Sequence, residues 1–194
     1  MKADIQIIEK PDWVSWEEIK QCLSDAHATN RANGINMAHY QWPAEKIIET
    51  IGENGVFLVA LDDKKLVGVA AIAEKRADTW YAKGRFAYMC FAGVLPSYSG
   101  EGLYHRLTAK REEIAKSMGY QTLVFDTHQN NKKIQSIAIQ NGYRLVRFFR
   151  ASSKDHYSVV MAKWLNGCPY SVGYCWIKYN MSRLKTIVRY PLKK

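Results

Sequence analysis

The stretch from Arg85 to Met118 constrains the fold of this chain most, because it joins a strand pattern to a helix pattern through a glycine-bearing turn. Residues 85–95 form an apolar run typical of a fully covered strand, and Pro96, which cannot donate to a sheet ladder, predicts that the strand ends by Leu95. The residues after the turn repeat an apolar side chain at helical spacing, at Leu103, Leu107, Ile114 and Met118.

The turn itself predicts an anion site made from the main chain. Gly100 and Gly102 carry no Cβ, which allows a sharp turn and a close approach of an anion to the backbone. The first N–H groups of the following helix have no internal partner, and the helix dipole places about half a positive charge there. Such a turn suits a phosphate, although a plain strand–helix connection that needs a positive φ would use the same residues. It matches neither a Walker A loop nor a dinucleotide fingerprint.

The composition is that of an ordinary globular protein. The chain has 194 residues, of which 47% are apolar and 24% are charged. It has no run of about 20 apolar residues, and its N-terminus is too charged for a secretory signal. We therefore expect a cytoplasmic protein without a transmembrane segment. The scattered cysteines predict free thiols and no metal site: Cys22, Cys90, Cys168 and Cys175.

The positive charge is concentrated at the C-terminal end. The net charge is +10, and no acidic residue follows Asp155. Seven basic residues follow it: Lys163, Lys178, Arg183, Lys185, Arg189, Lys193 and Lys194. This asymmetry indicates a polyanionic partner at that end of the chain.

The remaining elements alternate strands and helices in the middle of the chain and place hairpins at its ends, which predicts a mixed α/β sheet. Strands are expected at 3–9, 55–61, 65–75, 122–128, 143–153 and 156–165, with a looser link at 76–83. Helices are expected from Ser15 (a capping box with Glu18), at 43–51, and from an Asn130 or Asn131 cap to Gly142. His39, Tyr40 and Trp42 lie on a connection and either pack or contact a substrate.

Residues 166–194 form a basic extension beyond a domain that we assign to residues 1–165. Apolar residues recur near helical spacing at Tyr174, Ile177, Met181, Leu184 and Val188. This pattern predicts a terminal amphipathic helix that docks on the domain by this stripe. Contact with an anionic lipid or an acidic acceptor is the alternative.

Two local patterns and the order of elements resemble the GNAT superfamily of acyl-CoA-dependent N-acetyltransferases. The family's V-x-P is present as Val94-Leu95-Pro96. In the loop that follows, Gly102 keeps the central glycine, while Ser99 stands for the usual Arg or Gln. The family's second motif, an asparagine, a helix and G-F, is matched by Asn131 and Gly142-Tyr143.

The resemblance implies a centrally splayed, mixed β-sheet flanked by helices, with acetyl-CoA as cosubstrate and no metal. Its diphosphate would bind the loop, its pantetheine arm would lie between strands 85–95 and 122–127, and an amide near Val94 would polarise the thioester carbonyl. The residues expected to bind it are Val94, Leu95, Ser99, Gly100, Glu101, Gly102, Leu103, Tyr104 and Asn131.

The residues that would move protons are less well marked. Ala138 stands where many relatives have a catalytic tyrosine, and strand 85–95 carries no carboxylate. His128, at the end of a strand, is the first candidate because its ordinary pKa near 6.5 suits a proton relay. Tyr88 is the second, followed by Asp126 and His105. Cys90 lies mid-strand and is expected to pack in the core.

These features predict an acetyltransferase that moves acetyl from acetyl-CoA to an amine of a small molecule or amino sugar by direct attack. The acceptor would enter from the side formed by residues 30–42. One alternative is a GNAT-fold module that binds acyl-CoA without chemistry. The other is a module held on an anionic surface by its basic tail; no nucleic-acid motif is present.

Overall fold

The computed structural model describes residues 5–151 and 155–191, and within them the chain forms a mixed α/β fold with seven strands flanked by six α-helices. The strands are β1 Gln6–Glu9, β2 Val56–Asp62, β3 Lys65–Asp78, β4 Lys83–Val94, β5 Thr122–His128, β6 Arg144–Arg150 and β7 Tyr157–Trp164. The helices are α1 Trp16–Ala26, α2 Ala28–Ala32, α3 Ala44–Ile51, α4 Leu103–Ser117, α5 Lys132–Gln140 and α6 Val172–Arg189.

The chain divides into two compact units. The first unit comprises Met1–Lys75 and Ala87–Gly119, and the second comprises Arg76–Phe86 and Tyr120–Lys194. The predicted mixed α/β class and the terminal helix are confirmed. The predicted link at 76–83 is wrong for half of its length, because β3 continues to Asp78 and β4 begins at Lys83. The residues between them form a turn closed by the Thr79 N–H and the Ala82 carbonyl at 2.9 Å.

In the first unit the strands lie in the order β1-β2-β3-β4. The predicted hairpin between β2 and β3 is confirmed as an antiparallel pair that sets Val59 opposite Val69. Helices α1 and α3 cover one face with Ile19, Leu23 and Ile47, all fully buried. Ser15 and Glu18 form the predicted capping box, in which the Glu18 N–H donates to Ser15 Oγ at 3.2 Å.

The first turns of helix α4 are buried in the core of the first unit as predicted, but further along the helix the buried residues are not the predicted ones. Leu103 and Leu107 are buried against β2 and β3 residues, as the periodicity indicates. One turn later the buried positions are Arg111 and Ala115, while Ile114 is only partly buried. Arg111 is held there by its Nη1, which donates to the Cys90 carbonyl of β4 at 3.4 Å.

In the second unit the strands lie in the order β5-β7-β6, and both pairs are antiparallel. Helix α6 packs along β6, the strand at the end of this order. The Phe148 N–H donates to Ser182 Oγ at 2.9 Å, and Thr186 Oγ1 donates to the Phe148 carbonyl at 3.0 Å. Side chains of α6 therefore satisfy main-chain groups that an edge strand would otherwise leave open.

The face of α6 that packs on β6 is not the one that the sequence predicts. Cys175 is buried and Tyr179 contacts the Phe148 ring, with the two centroids 6.2 Å apart. The predicted docking stripe lies on the exposed side of the helix: Tyr174, Ile177, Met181, Leu184 and Val188. Across the described ranges, every helix is too short or too polar to cross a bilayer.

Candidate functional site

The main chain after β4 follows the predicted path in the first unit. Pro96–Tyr98 form one turn of 3-10 helix, closed by the Ser99 N–H on the Pro96 carbonyl at 3.1 Å. Gly100 and Gly102 then adopt φ of +87° and +75°, and an added Cβ at either position would meet no atom within 4 Å. These left-handed conformations require glycine, and the space beside both residues is open.

Helix α4 begins directly at this turn with its N-terminus uncapped. Gly102 is the N-cap and has no side chain with which to bond the first-turn amides, and no acidic residue lies in the first turn. The first helical bond runs from the Arg106 N–H to the Gly102 carbonyl at 3.0 Å, which leaves the earlier amides without a helical partner. The buried Leu103 side chain anchors the helix start. The geometry therefore fits a phosphate group bound by main-chain donors.

The side chains of this loop contribute less than its backbone. Ser99 and Glu101 are exposed, and Tyr104 is half-buried. Arg106, the nearest guanidinium along α4, is bonded to the Ile5 carbonyl at 2.6 Å. Recognition of a diphosphate here would thus depend on the amides of residues 100–104.

The main-chain groups of Val94 and Leu95 face different ways. The Leu95 N–H donates to the Val67 carbonyl of β3 at 2.9 Å, and the Leu95 carbonyl accepts from the Tyr98 N–H at 2.9 Å. Because successive residues of a strand direct their main-chain groups to opposite edges, those of Val94 point away from β3. We therefore keep Val94, and not Leu95, as the expected main-chain contact of a thioester arm.

Strand β4 is distorted four residues before its predicted end. Phe91 has φ of +48°, which is unusual for a bulky residue and is typical of a bulge. The next carbonyl, that of Ala92, is bonded to His27 Nε2 at 3.0 Å. Gly93 lies against the end of α1, where a Cβ would be 2.8 Å from the Ala26 Cβ. The bulge is therefore held by the residue that follows α1.

His27 belongs to an aromatic cluster that also contains His39, Tyr40, Trp42 and Phe91. The His27 ring stacks on Tyr40 at 4.0 Å, and His39 contacts Phe91 at 5.8 Å. His27 Nδ1 is bonded to Asn30 Nδ2 at 3.1 Å, so the proton is on Nε2 and is donated to Ala92. Tyr40 is buried. Packing is thus the role that these contacts support for the predicted surface aromatics.

The buried histidines predict an acid-sensitive fold. Burial lowers the pKa of His27 to about 4 and that of His39 to about 3. In the unfolded chain these histidines take up a proton near pH 6.5, whereas in the folded chain they stay neutral to a lower pH. The free energy of unfolding should therefore be highest above pH 6.5 and fall as the pH drops towards 4, with a contribution from His27 of up to about 3 kcal/mol. Thermal melts should show this loss in the wild type and a smaller loss in His27→Gln. His105→Gln, at an exposed position, is the control, and identical pH curves for His27→Gln and the wild type would contradict the assignment.

The second unit contains Asn131, the asparagine of the second motif. It precedes α5, but its side chain does not cap that helix. Its Nδ2 instead donates to Thr127 Oγ1 at 3.2 Å, and the residue is buried. Asn131 is therefore the N-cap residue, as predicted, but its side chain makes no capping bond, and its amide instead ties α5 to the end of β5. A contact with the coenzyme stays a prediction.

His128 lies at the end of β5, as predicted, but its hydrogen bonds do not suit a base. The Asn130 N–H donates to His128 Nδ1 at 3.0 Å, so neutral His128 carries its proton on Nε2. Burial, and secondarily the neighbouring His156, lowers the pKa of His128. A buried neutral ring whose Nδ1 is engaged can donate a hydrogen bond from Nε2 but is poorly placed to accept a proton.

His156 and Asp155 form a pair beside His128 that the sequence analysis missed. The His156 and His128 rings stack at 4.5 Å, and His156 Nδ1 is 2.5 Å from Asp155 Oδ1. With its Nδ1 proton donated to Asp155, neutral His156 presents a lone pair on Nε2. That atom is buried and has no hydrogen-bond partner among the described residues. The arrangement can accept a proton, with the carboxylate stabilising the imidazolium that forms.

The other sequence candidates occupy less suitable positions. Tyr88 is half-buried in β4, Asp126 is half-buried in β5, and His105 is exposed on α4. Cys90 packs against the core cluster of the first unit, in agreement with its expected structural role. Within the described ranges, no group of three His, Cys, Asp or Glu residues is placed to hold a metal ion.

Comparisons with known proteins identify the fold. A family model described as the acetyltransferase (GNAT) family matches residues 16–143. No curated protein matches the chain. Many solved structures do, among them the ribosomal-protein-S18-alanine N-acetyltransferase from Escherichia coli, with a TM-score of 0.65 and 14% identity, covering 87% of this chain and 98% of that one.

Two further structures have similar scores. The IAA acetyltransferase from Bacillus cereus has a TM-score of 0.60 and 18% identity, covering 84% of this chain and 100% of its own. The PaiA N-acetyltransferase from Thermoplasma acidophilum, in complex with coenzyme A, has a TM-score of 0.61 and 19% identity, covering 83% of this chain and 99% of its own. At these identities the likeness concerns the fold alone.

Proposed function

Because this chain belongs to the GNAT acetyltransferase family, we propose that it transfers an acetyl group from acetyl-CoA to an amine of a small molecule or amino sugar. The observation that carries the proposal is the uncapped N-terminus of α4 behind two left-handed glycines, which fits the coenzyme's diphosphate. The Thermoplasma relative was solved with coenzyme A, and a relative from Elizabethkingia anophelis was solved with acetyl-CoA. A cytoplasmic location stays a prediction.

The residues of the first unit would bind and polarise the donor. Amides of residues 100–104 would take the diphosphate, and the main-chain groups of Val94 would bond to the pantetheine arm. An amide near Val94 would also donate to the thioester oxygen, which becomes more negative as the amine attacks. The Phe91 bulge, held by His27, would fix the course of β4 before this point.

The side chain that we propose for the proton is chosen for its own chemistry and local contacts. An alkyl amine with a pKa of about 10.4 is mostly protonated at neutral pH and must lose a proton before or during attack. His156 Nε2, which is buried, would accept it through a relay and not by direct contact with the amine, while Asp155 holds the ring orientation. The thiolate of coenzyme A then leaves, and the proton that His156 has taken up is the one available to protonate it, while the His128 Nε2–H group can donate a hydrogen bond to the sulfur without losing its proton.

The fold does not indicate which amine accepts the acetyl group. The name of the Escherichia coli relative specifies an alanine of a ribosomal protein as its substrate, and the relatives' names differ in this respect. An assay with acetyl-CoA and a panel of amines and amino sugars, read by thiol release and by mass spectrometry of the product, tests the proposal. A mass increase of one acetyl group on an amine is the expected result.

The main competing function is a binding module without chemistry. Ala138 stands at the position of the tyrosine that many relatives use, which favours this alternative. Saturable stabilisation of the chain by coenzyme A, with no acetylated product from any acceptor in the panel, would support it and contradict catalysis.

A further inference from the structure

Helix α6 presents a broad apolar face to solvent. Six exposed side chains define what we call the outer face of α6: Trp176 (67% exposed), Ile177 (52%), Met181 (48%), Leu184 (67%), Ile187 (41%) and Val188 (79%). At about 100° per residue, these six positions span roughly 140° of the helix circumference. The one polar residue of α6 within this arc is Asn180, whose Nδ2 donates to the Trp176 carbonyl at 2.9 Å. An exposed surface that is otherwise apolar marks an interaction site more often than a surface without a role.

The fold does not explain this face, because α6 is attached by the opposite side. Cys175, Tyr179, Ser182 and Thr186 make the contacts to the second unit described above. The family match ends at residue 143, so α6 lies outside the part of the chain that the family model covers. The outer face is thus available to a partner and is not required for the sheet contacts.

The charges of α6 specify the kind of partner. The helix has four basic residues, Lys178, Arg183, Lys185 and Arg189, and no acidic residue. At helical spacing, Lys178 and Lys185 border one side of the outer face and Arg183 borders the other. Long basic side chains in these positions can extend to an anionic layer while the apolar side chains between them are buried.

We propose that the outer face of α6 docks in the plane of an anionic lipid surface, with its apolar side chains at the acyl boundary and its border bases on headgroup phosphates. Trp176 is placed near the border, where an aromatic ring suits the headgroup level. The outer face of α6 would attach the protein to the lipid surface without a membrane-spanning helix. This attachment does not depend on acetyl transfer.

Two other occupants fit the face less well. A second copy of α6 would bring bases against bases, and an apolar span of about 140° is wider than the narrow seam of a two-stranded coiled coil. A nucleic acid would meet aliphatic side chains at the centre of the face, whereas phosphate recognition needs the bases there.

Co-sedimentation of the full chain with lipid vesicles tests the proposal. Vesicles of phosphatidylcholine alone should bind little, and an equimolar mixture with phosphatidylglycerol should bind the chain, less so as salt is added. Leu184→Asp and Val188→Asp should each weaken binding to the mixed vesicles more than tenfold, whereas Ile139→Asp, at an exposed position of α5, should not. Lys185→Gln should weaken binding about fivefold, and Lys133→Gln, on α5, should have little effect.

Three results would overturn the proposal in variants whose thermal melts are unchanged. The first is no sedimentation with the mixed vesicles. The second is equal binding of Leu184→Asp and the wild type, which would reduce the contact to charge alone. The third is a dimer in light scattering that Leu184→Asp dissociates, or RNA binding that displaces the vesicles, because either would assign the face to another occupant.

Discussion

Replacing Gly102 with glutamate is expected to weaken coenzyme A binding by at least a hundredfold while the chain stays folded. The residue caps α4 with φ of +75° in open space, so the new side chain fits sterically but is strained. Its carboxylate would lie where the diphosphate is expected, and repulsion between charges about 4 Å apart near a protein surface is about 4 kcal/mol. Isothermal titration with coenzyme A measures the effect.

Gly119→Glu is the matched control for this substitution. Gly119 follows α4 in the same unit, has φ of +78°, and also has no atom within 4 Å of an added Cβ. The variant therefore introduces the same charge and similar backbone strain away from the predicted phosphate site. Coenzyme A affinity should stay at the wild-type level in Gly119→Glu. An equal loss in both variants, or none in either, would show that the loop is only a connection.

The second large effect is expected at His156. If its Nε2 accepts the proton of the attacking amine, His156→Gln should lower kcat/KM for the acceptor by about a hundredfold to ten-thousandfold and leave coenzyme A affinity unchanged. Steady-state kinetics with a fixed acceptor give the first quantity, and titration gives the second. His105→Gln, an exposed histidine of α4, should retain full activity.

Asp155→Asn separates a chemical role of His156 from a structural one. The Asp155 side chain is 60% exposed, so the exchange should not disturb the fold. Without the carboxylate the imidazole loses the partner that holds its Nδ1 proton and its ring orientation, and kcat should fall while coenzyme A affinity stays unchanged. A folded His156→Gln variant with wild-type turnover, or wild-type turnover in Asp155→Asn, would remove the pair from the mechanism.

Local signals made the turn between β4 and α4 predictable from the sequence. Pro96 ends a ladder because it lacks an N–H, and Gly100 and Gly102 permit positive φ wherever they occur, so the turn needs no knowledge of distant residues. Strand β5, with an apolar run between turn residues, was predictable for the same reason. In each case the information lies within about ten residues.

The contact between His128 and His156 could not be found in this way. His128 and His156 are distant in sequence, and they meet because β5 pairs with β7, which sets His128 opposite Ser158. The bulge at Phe91 has no local signal either, since it lacks the glycine that usually marks a positive φ. The tautomer of His128 depends on the Asn130 amide.

Helix α6 shows what periodicity can and cannot decide. The repeat of apolar residues correctly predicted a helix, but a repeat indicates only that apolar side chains share a face. Which face packs was decided by Ser182 and Thr186, whose hydroxyls bond to the main chain of β6. Polar residues thus hold the packed side, and the apolar residues that sequence reasoning assigned to it lie outside.

A crystal structure of the chain with acetyl-CoA tests the central claim most directly. The account predicts diphosphate oxygens about 3 Å from the amide nitrogens of residues 100–104 at the start of α4. A diphosphate bound elsewhere on the chain, with these amides facing only water, would contradict it.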